Sequence, residues 1–218
     1  GDSAVSKSRV DKAVSGLIIF RYVFILAACV LVGFIPAIMN RVRVEKVRAN
    51  LHAVYPNAEF TEVTCTKYNG SSQYMVHITD AAGNQASGFA NSDGSMANDT
   101  YACYYYADDV VEYFNNGISV EDFAGVGIAV DAVSYNNLRY EDTSLCTSFE
   151  AYLDPNTLVH NDGFSSQHVY ISVRIVGCDD AQSLCETISE RMTEQGVMLN
   201  VHFEGPNGEY LGTYETDD

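Results

Sequence analysis

Basic residues are scarce in most of this chain. Residues 51–218 contain four Lys or Arg against 26 Asp or Glu, whereas residues 1–50 contain eight against three. A surface this acidic repels the phosphates of nucleic acids and of anionic lipid headgroups. We therefore expect no nucleic-acid partner and no domain lying flat on a membrane. The excess of acid favours solubility or adaptation to salt over a cationic partner or bound metal ions.

The chain also lacks the spacings that mark common catalytic and cofactor sites. No two of its six cysteines form a CxxC pair, which argues against a zinc site of the usual spacing. The glycines at 125 and 127 are not followed by a third glycine opening a helix, so a phosphate-binding loop is not supported. We predict no catalytic, cofactor or metal-binding residues, and a protein that is not an enzyme.

One long apolar run is present, over residues 22–39. It has 18 residues and no charge. As a helix rising about 1.5 Å per residue it would be about 27 Å long, close to the ~30 Å hydrocarbon core of a bilayer. Arg21 precedes the run, and its long side chain can reach a headgroup. We predict a transmembrane signal-anchor over residues 14–40, in contact with lipid through residues 17–39.

Three other interpretations of the run remain open. A cleaved signal peptide would have a shorter apolar region, of about 7–15 residues, and a cleavage site before polar sequence. A lipoprotein signal fits residues 26–29 (LAAC) and would place lipid on Cys29, but ten apolar residues follow. A pilin-like assembly helix fits Pro36, although Arg21 stands where pilins carry an acidic residue.

The orientation of the span is not decided by its flanking charges. Four Lys or Arg residues precede the run and four follow it closely, so the positive-inside count is tied. The cysteines and the large acidic segment suit a C-terminus outside the cytoplasm. We expect a flexible basic tail over residues 1–13, one membrane span, and an extracytoplasmic domain at the cell membrane.

Beyond the span, periodicity predicts an α+β domain of antiparallel sheets packed by helices. Its first part is predicted over residues 41–116: an amphipathic helix at 41–55, a three-strand meander at 58–68, 73–80 and 85–90, and a helix at 99–116. Its second part is predicted over residues 117–218: a strand within 120–135, loops at 135–168, a strand at 169–176, a helix at 181–195, and strands at 197–203 and 209–214. A tyrosine-rich strand over residues 101–106 competes with the helix at 99–116.

The order of the first predicted elements, together with four short segments, resembles a known class of proteins. The segments concerned are residues 44–51 (VEKVRANL), Tyr55, residues 58–60 (AEF) and residues 98–101 (NDTY). Over roughly residues 17–116, the pattern resembles single-pass proteins and lipoproteins of Gram-positive bacteria with a PepSY-like or cystatin-like outer domain. The resemblance implies a location and a fold, and it brings no catalytic residues with it.

A dense group of tyrosines is the predicted partner contact: Tyr101, Tyr104, Tyr105 and Tyr106. Tyrosine combines apolar area with a hydrogen-bonding tip, as contact surfaces require. The same residues would also serve to pack a helix against the meander. The expected partner is another envelope protein or a second copy of the chain.

Five cysteines lie beyond the apolar run and would form two disulfides in an oxidising compartment. We expect Cys65 to pair with Cys103, and Cys146 to pair with Cys178 or Cys185. Buried thiols in a reducing cytosol are the alternative.

Two predicted loops contain side chains of the types that bind metal ions or act in catalysis. Residues 160–168 contain His160, Asp162, Ser165 and His168, which would suit a metal site or a hydrolase, but such residues more often build exposed turns. Residues 91–95 (NSDGS) offer oxygens to calcium, but the glycine is not at the EF-hand position, so we predict a hairpin turn there.

Overall fold

The computed structural model describes residues 2–118, 125–132, 137–140, 148–159 and 168–216. Its contacts divide the chain into two compact units, Gly1–Arg43 and Val44–Asp218.

The first unit is part of one continuous helix, α1, which covers Asp2–Val54 and includes Pro36. The large apolar side chains between Ile18 and Met39 are exposed, with fractions from 49% at Ile18 to 71% at Tyr22. The segment Ile18–Val54 is long and apolar enough to cross a membrane, and none of its most apolar window is buried by protein. A helix that is apolar all round presents no polar face to water.

The second unit begins with the last turns of α1, at residues 44–54. Val47, Leu51 and Val54 recur at spacings of four and three and are almost completely buried. The predicted amphipathic stripe is therefore confirmed, and it packs against the core of the second unit. The helix ends where Pro56 follows Tyr55, because proline has no N–H with which to continue the helical bonding.

The described part of the second unit contains ten strands. They are β1 Phe60–Lys67, β2 Tyr74–Asp80, β3 Gln85–Ala90, β4 Met96–Asp99, β5 Gly127–Ala132, β6 Asn137–Arg139, β7 Leu158–Val159, β8 Val169–Val176, β9 Leu199–Glu204 and β10 Tyr210–Tyr214. The helices that follow α1 are α2 Ala102–Tyr105, α3 Ala107–Ile118, α4 Phe149–Leu153 and α5 Ala181–Gln195, with a 3-10 turn at Pro155–Thr157.

These strands form two sheets around one buried core. The first has the order β1-β2-β3-β4-β6-β7 and is antiparallel throughout. The second has the order β10-β9-β8-β5, in which only β8 and β9 are parallel, with α5 between them in the chain. The α+β class is therefore confirmed. Strands β6 and β7 come from the predicted part at 117–218, but β6 pairs with β4 and β7 pairs with β6 in the first sheet. The predicted parts at 41–116 and 117–218 therefore contribute strands to the same sheet.

Several predicted elements are confirmed to the residue: β3, β8 and α5. Helix α5 is bounded by its caps, since Asp180 Oδ1 accepts a hydrogen bond from Ser183 N and Gly196 adopts a left-handed conformation at φ 64°. The predicted helix at 99–116 instead starts at Ala102 and is broken at Tyr106 into α2 and α3. Strand β4 and the short elements within 135–168 were not predicted.

The structure corrects the predicted disulfides. No disulfide bond is present at any cysteine that the structure describes, so Cys65 and Cys103 are not joined. The thiol of Cys103 instead donates to Thr100 O, at 2.9 Å. Cys178 and Cys185 also carry no disulfide. Cys146 lies outside the described residues.

The pairing of β3 with β4 depends on the absence of a side chain at Gly88. A Cβ atom there would lie 2.3 Å from the backbone oxygen of Asn98. We expect Gly88→Ala to force the two strands apart and to lower the free energy of unfolding by about 1–3 kcal/mol. Chemical denaturation of the full chain in detergent micelles measures this.

The matched control is Ser87→Ala, because Ser87 is exposed on the same strand. Its effect should stay within about 0.5 kcal/mol. A G88A protein as stable as S87A would contradict the close approach of β3 and β4.

Candidate functional site: a buried aspartate bonded to tyrosines

One enclosed polar group in the described part of the second unit is the carboxylate of Asp99, the last residue of β4. It is fully buried. Its Oδ1 accepts hydrogen bonds from Tyr55 Oη at 2.9 Å and from Tyr101 N at 2.6 Å. Its Oδ2 accepts one from Tyr140 Oη at 2.6 Å. A buried carboxylate without such donors would be strongly destabilising, so these three bonds are a condition for its burial.

The donors come from three separate parts of the unit. Tyr55 follows α1, Tyr101 precedes α2 and Tyr140 follows β6. Hydrogen bonds to Asp99 therefore connect the residue that follows α1 with two neighbouring strands of the first sheet, β4 and β6. Because the bonding pairs Tyr55–Asp99 and Asp99–Tyr140 are 44 and 41 residues apart, the contact is long-range in the chain.

Burial sets the protonation behaviour of this cluster. Loss of water raises the pKa of Asp99, and the bonds from Tyr140, Tyr101 and Tyr55 lower it by less. Burial also raises the pKa of Tyr55 well above its ordinary value, and the charge of Asp99 adds to the rise. Tyr55 therefore keeps its proton at neutral pH and remains a donor to Asp99.

A second carboxylate, Asp80, is joined to the first through Tyr101. The hydroxyl of Tyr101 donates to Asp80 Oδ2 at 2.9 Å, while its backbone N–H donates to Asp99. Asn84 donates to Asp80 from its backbone at 2.8 Å and from its side chain at 2.9 Å. Burial alone would raise the pKa of Asp80, but the bonds from Asn84 and Tyr101 together lower it.

An aromatic cluster packs around these carboxylates. The rings of Tyr55 and Tyr101 meet edge to face at 5.1 Å, and Tyr55 lies 5.0 Å from Tyr105. Tyr106 stacks on Tyr152 at 5.0 Å. Aromatic pairs at such distances stabilise a core beyond the area they bury. The cluster joins α1, α2 and α4.

The four tyrosines of the predicted partner contact are not equally accessible. Tyr101 and Tyr106 are core residues, with 4% and 5% exposed, and Tyr105 is half-buried. Tyr104 is 44% exposed. The surface available to a partner is therefore Tyr104 with part of Tyr105, and contact through it stays a prediction.

The two predicted loops have different outcomes. At residues 91–95, Asn91 N donates to Ser95 O at 2.8 Å, and Asp93 Oδ1 accepts from Ser95 N and Oγ. This is the predicted hairpin turn. In the second loop only His168 lies within the described residues, where it is 3% exposed. His160, Asp162 and Ser165 lie outside them.

The hydrogen bonds around Asp99 connect separate parts of the fold, and the carboxylate is not accessible to a substrate. Its carboxylate is closed to solvent and already accepts three hydrogen bonds. No group of three His, Cys, Asp or Glu able to hold a metal ion occurs in the part of the chain that the structure describes. We therefore assign Asp99 a positioning role in the folded domain.

From the sequence, Asp99 is predicted only as the first residue of the helix at 99–116, and Tyr140 is not singled out. Asp99 is not the cap of α2, because the residue before that helix is Tyr101, which makes no side-chain capping bond; Asp99 Oδ1 instead accepts from Tyr101 N inside the buried cluster. The available signal was a carboxylate between a strand and a helix in a chain with 15 tyrosines and few basic residues. With so few cations present, hydroxyl and backbone donors are the available partners for a buried carboxylate.

Comparison with known proteins finds no matching family model, no similar curated protein and no similar solved structure. The resemblance to PepSY-like and cystatin-like domains therefore stays a prediction. The interpretation of the site rests on its geometry.

Replacing Asp99 tests the protonation of the cluster. Since the folded state raises the pKa of Asp99, it favours the protonated carboxyl, and this contribution to stability is lost as pH rises through the folded pKa. Asp99→Asn keeps the shape and removes the charge. We expect the unfolding free energy of the unchanged protein, minus that of D99N, to fall as pH rises from about 4.

Asp108→Asn provides the control for charge alone, because Asp108 is exposed on α3. Denaturation curves across the pH series should show no comparable fall for the D108N difference. A D99N difference that instead rises with pH would show that folding lowers the pKa of Asp99.

Proposed function

We propose that this chain is a single-pass membrane protein whose acidic α+β domain lies outside the cytoplasm and binds or regulates another component of the cell envelope. The observation that carries the proposal is the exposed apolar surface of α1 between Ile18 and Met39. Soluble proteins rarely expose a contiguous apolar patch larger than a few hundred Å². Lipid is the partner that covers a helix that is apolar on every side.

The charge of the chain supports a second unit that stays in water, away from the lipid headgroups. The second unit, Val44–Asp218, carries 27 Asp or Glu against six Lys or Arg. Such a domain is repelled by anionic headgroups and remains in water. The basic residues that flank the span are equal in number on its two sides, so the proposed orientation rests on the resemblance to Gram-positive envelope proteins.

The site geometry favours binding over catalysis. The carboxylate of Asp99 is closed to solvent and accepts hydrogen bonds on both oxygens, whereas Tyr104 offers an aromatic ring and a hydroxyl at the surface. Contact surfaces are enriched in such residues. The exposed ring of Tyr104 supports the proposal of a binding surface.

A filament subunit is the second candidate, and the same exposed helix supports it. Copies of α1 packed side by side would cover the apolar surface as lipid does. Negative-stain microscopy of the purified chain distinguishes the two arrangements, because only assembly gives fibres. A hydrolase built on residues 160–168 stays a sequence prediction.

Membrane insertion is tested by placing charge in the middle of the apolar segment. We expect Val30→Lys combined with Leu31→Lys to release the chain from membranes, since a lysine at the centre of a span costs about 2.5–3.5 kcal/mol. Carbonate-washed membranes should retain the unchanged chain and lose the double variant. The control is Val30→Leu with Leu31→Val, which keeps the composition.

Orientation is measured in the same cells with a membrane-impermeant thiol reagent. In a chain whose native cysteines are replaced by serine, Thr213→Cys, on an exposed position of β10, should react in intact cells, whereas Ser3→Cys should react only after lysis. An unchanged chain found in the carbonate supernatant would contradict membrane insertion, and the reverse labelling pattern would contradict the orientation.

The proposed contact is tested at Tyr104. We expect Tyr104→Ala to reduce recovery of a cross-linked partner about tenfold, as loss of an interface tyrosine worth about 1.4 kcal/mol would do. Gln182→Ala, an exposed change on α5, should leave recovery unchanged. Equal recovery from both variants would remove Tyr104 from the contact.

A further inference from the structure

The sequence contains the dipeptide Asn-Gly three times, at Asn69, Asn116 and Asn207. Asparagine followed by glycine is prone to lose its side-chain amide, because the glycine N–H can attack the side-chain carbonyl carbon and glycine offers little steric hindrance. The reaction needs a glycine N–H that is not committed to a hydrogen bond and a backbone that can rotate. Because the three sites have the same dipeptide, differences in their rates of amide loss come from the local structure around each one.

Asn69 lies at the exposed turn between β1 and β2. Ser71 N donates to Tyr68 O at 3.2 Å, which places Gly70 at the third position of the turn with φ 78°. Gly70 N donates no hydrogen bond to any described residue. A Cβ atom at Gly70 would meet nothing within 4 Å, so the turn has space to rearrange.

Asn116 lies in a different setting, inside helix α3. Gly117 is a residue of the same helix, whose N–H groups are held by the helical hydrogen bonds. A Cβ atom at Gly117 would lie 2.8 Å from Val197, so this side of the helix is tightly packed. Both conditions for attack are therefore absent at Asn116.

Asn207 lies in the turn between β9 and β10, and here the glycine N–H is occupied. Gly208 N donates to Gly205 O at 3.0 Å. The backbone of Asn207 is also held, since Asn207 N donates to Glu209 Oε2 at 2.9 Å. The attack at Asn207 would first break a hydrogen bond worth about 0.5–1.5 kcal/mol.

We propose that Asn69 is a site of spontaneous deamidation in the folded protein, favoured over Asn116 and Asn207. The Gly70 nitrogen, losing its proton to base, forms a bond to Asn69 Cγ, and the Cγ–Nδ2 bond breaks to release ammonia. Water then opens the cyclic imide at either of its two carbonyl carbons. One opening gives aspartate, and the other gives isoaspartate, with the main chain passing through Cγ.

The product changes the β1–β2 turn in two ways. Each opening adds one negative charge to a turn that follows Lys67. Isoaspartate also adds one carbon to the main chain between Tyr68 and Ser71, the two residues that close the turn. This ageing reaction needs no enzyme and does not depend on the proposed function.

The test compares all three sites in one sample. The full chain in detergent micelles is incubated at mildly alkaline pH, digested, and analysed by mass spectrometry for conversion of each asparagine to acid. A parallel sample is incubated in denaturant, where the three dipeptides lose their structural differences. Asn69→Gln serves as the matched variant, because glutamine would have to form a larger ring.

We expect Asn69 to convert about two- to tenfold faster than Asn207 in the folded chain, which is the ratio that corresponds to the extra hydrogen bond at Gly208. Asn116 should be the slowest, and the three rates should converge in denaturant. The Asn69→Gln chain should lose the fast component. Folded-state conversion at Asn207 or Asn116 as fast as at Asn69, or an Asn69 that converts only in denaturant, would overturn the proposal.

Discussion

The apolar side chains of α1 between Ile18 and Met39 need a cover other than water, and the proposed membrane span depends on this constraint. None of the most apolar part of the segment is buried by protein. The second unit, in contrast, encloses its own core and includes the last turns of α1 through Val47, Leu51 and Val54. One helix therefore carries two kinds of surface, one that is apolar and exposed and one that packs into the core of the second unit.

Within the second unit, the carboxylate of Asp99 has a comparable organising role. It is placed where water cannot reach it, and Tyr55, Tyr101 and Tyr140 replace the lost hydration. Buried polar groups of this kind are costly unless fully bonded, so they restrict the fold to arrangements that bring all donors together. The cluster thereby links the end of the long helix to the first sheet. A partner bound near Tyr104 would contact α2, which directly follows this cluster.

The sequence allowed the longer elements to be predicted, because their signals are local. Helix α5 has its stripe of Ile188 and Met192 and a glycine stop, and β8 alternates over eight residues. The short elements β4, β6 and β7, of two to four residues, were missed, because a pattern needs more residues than that to repeat. The Asp99 site was missed because it depends on residues more than 40 positions apart. The disulfide prediction was wrong for Cys65 and Cys103 because it rested on composition and compartment, which contain no distances.

The central claim is that lipid surrounds the apolar part of α1. The most direct measurement uses spin labels placed one at a time along residues 18–39 of the full chain in lipid nanodiscs, with collision rates to oxygen and to a water-soluble nickel chelate. If lipid surrounds the segment, oxygen, which concentrates in lipid, reaches every label in its middle, and the nickel chelate reaches only its ends. Equal access of the nickel chelate along the whole segment would contradict this claim.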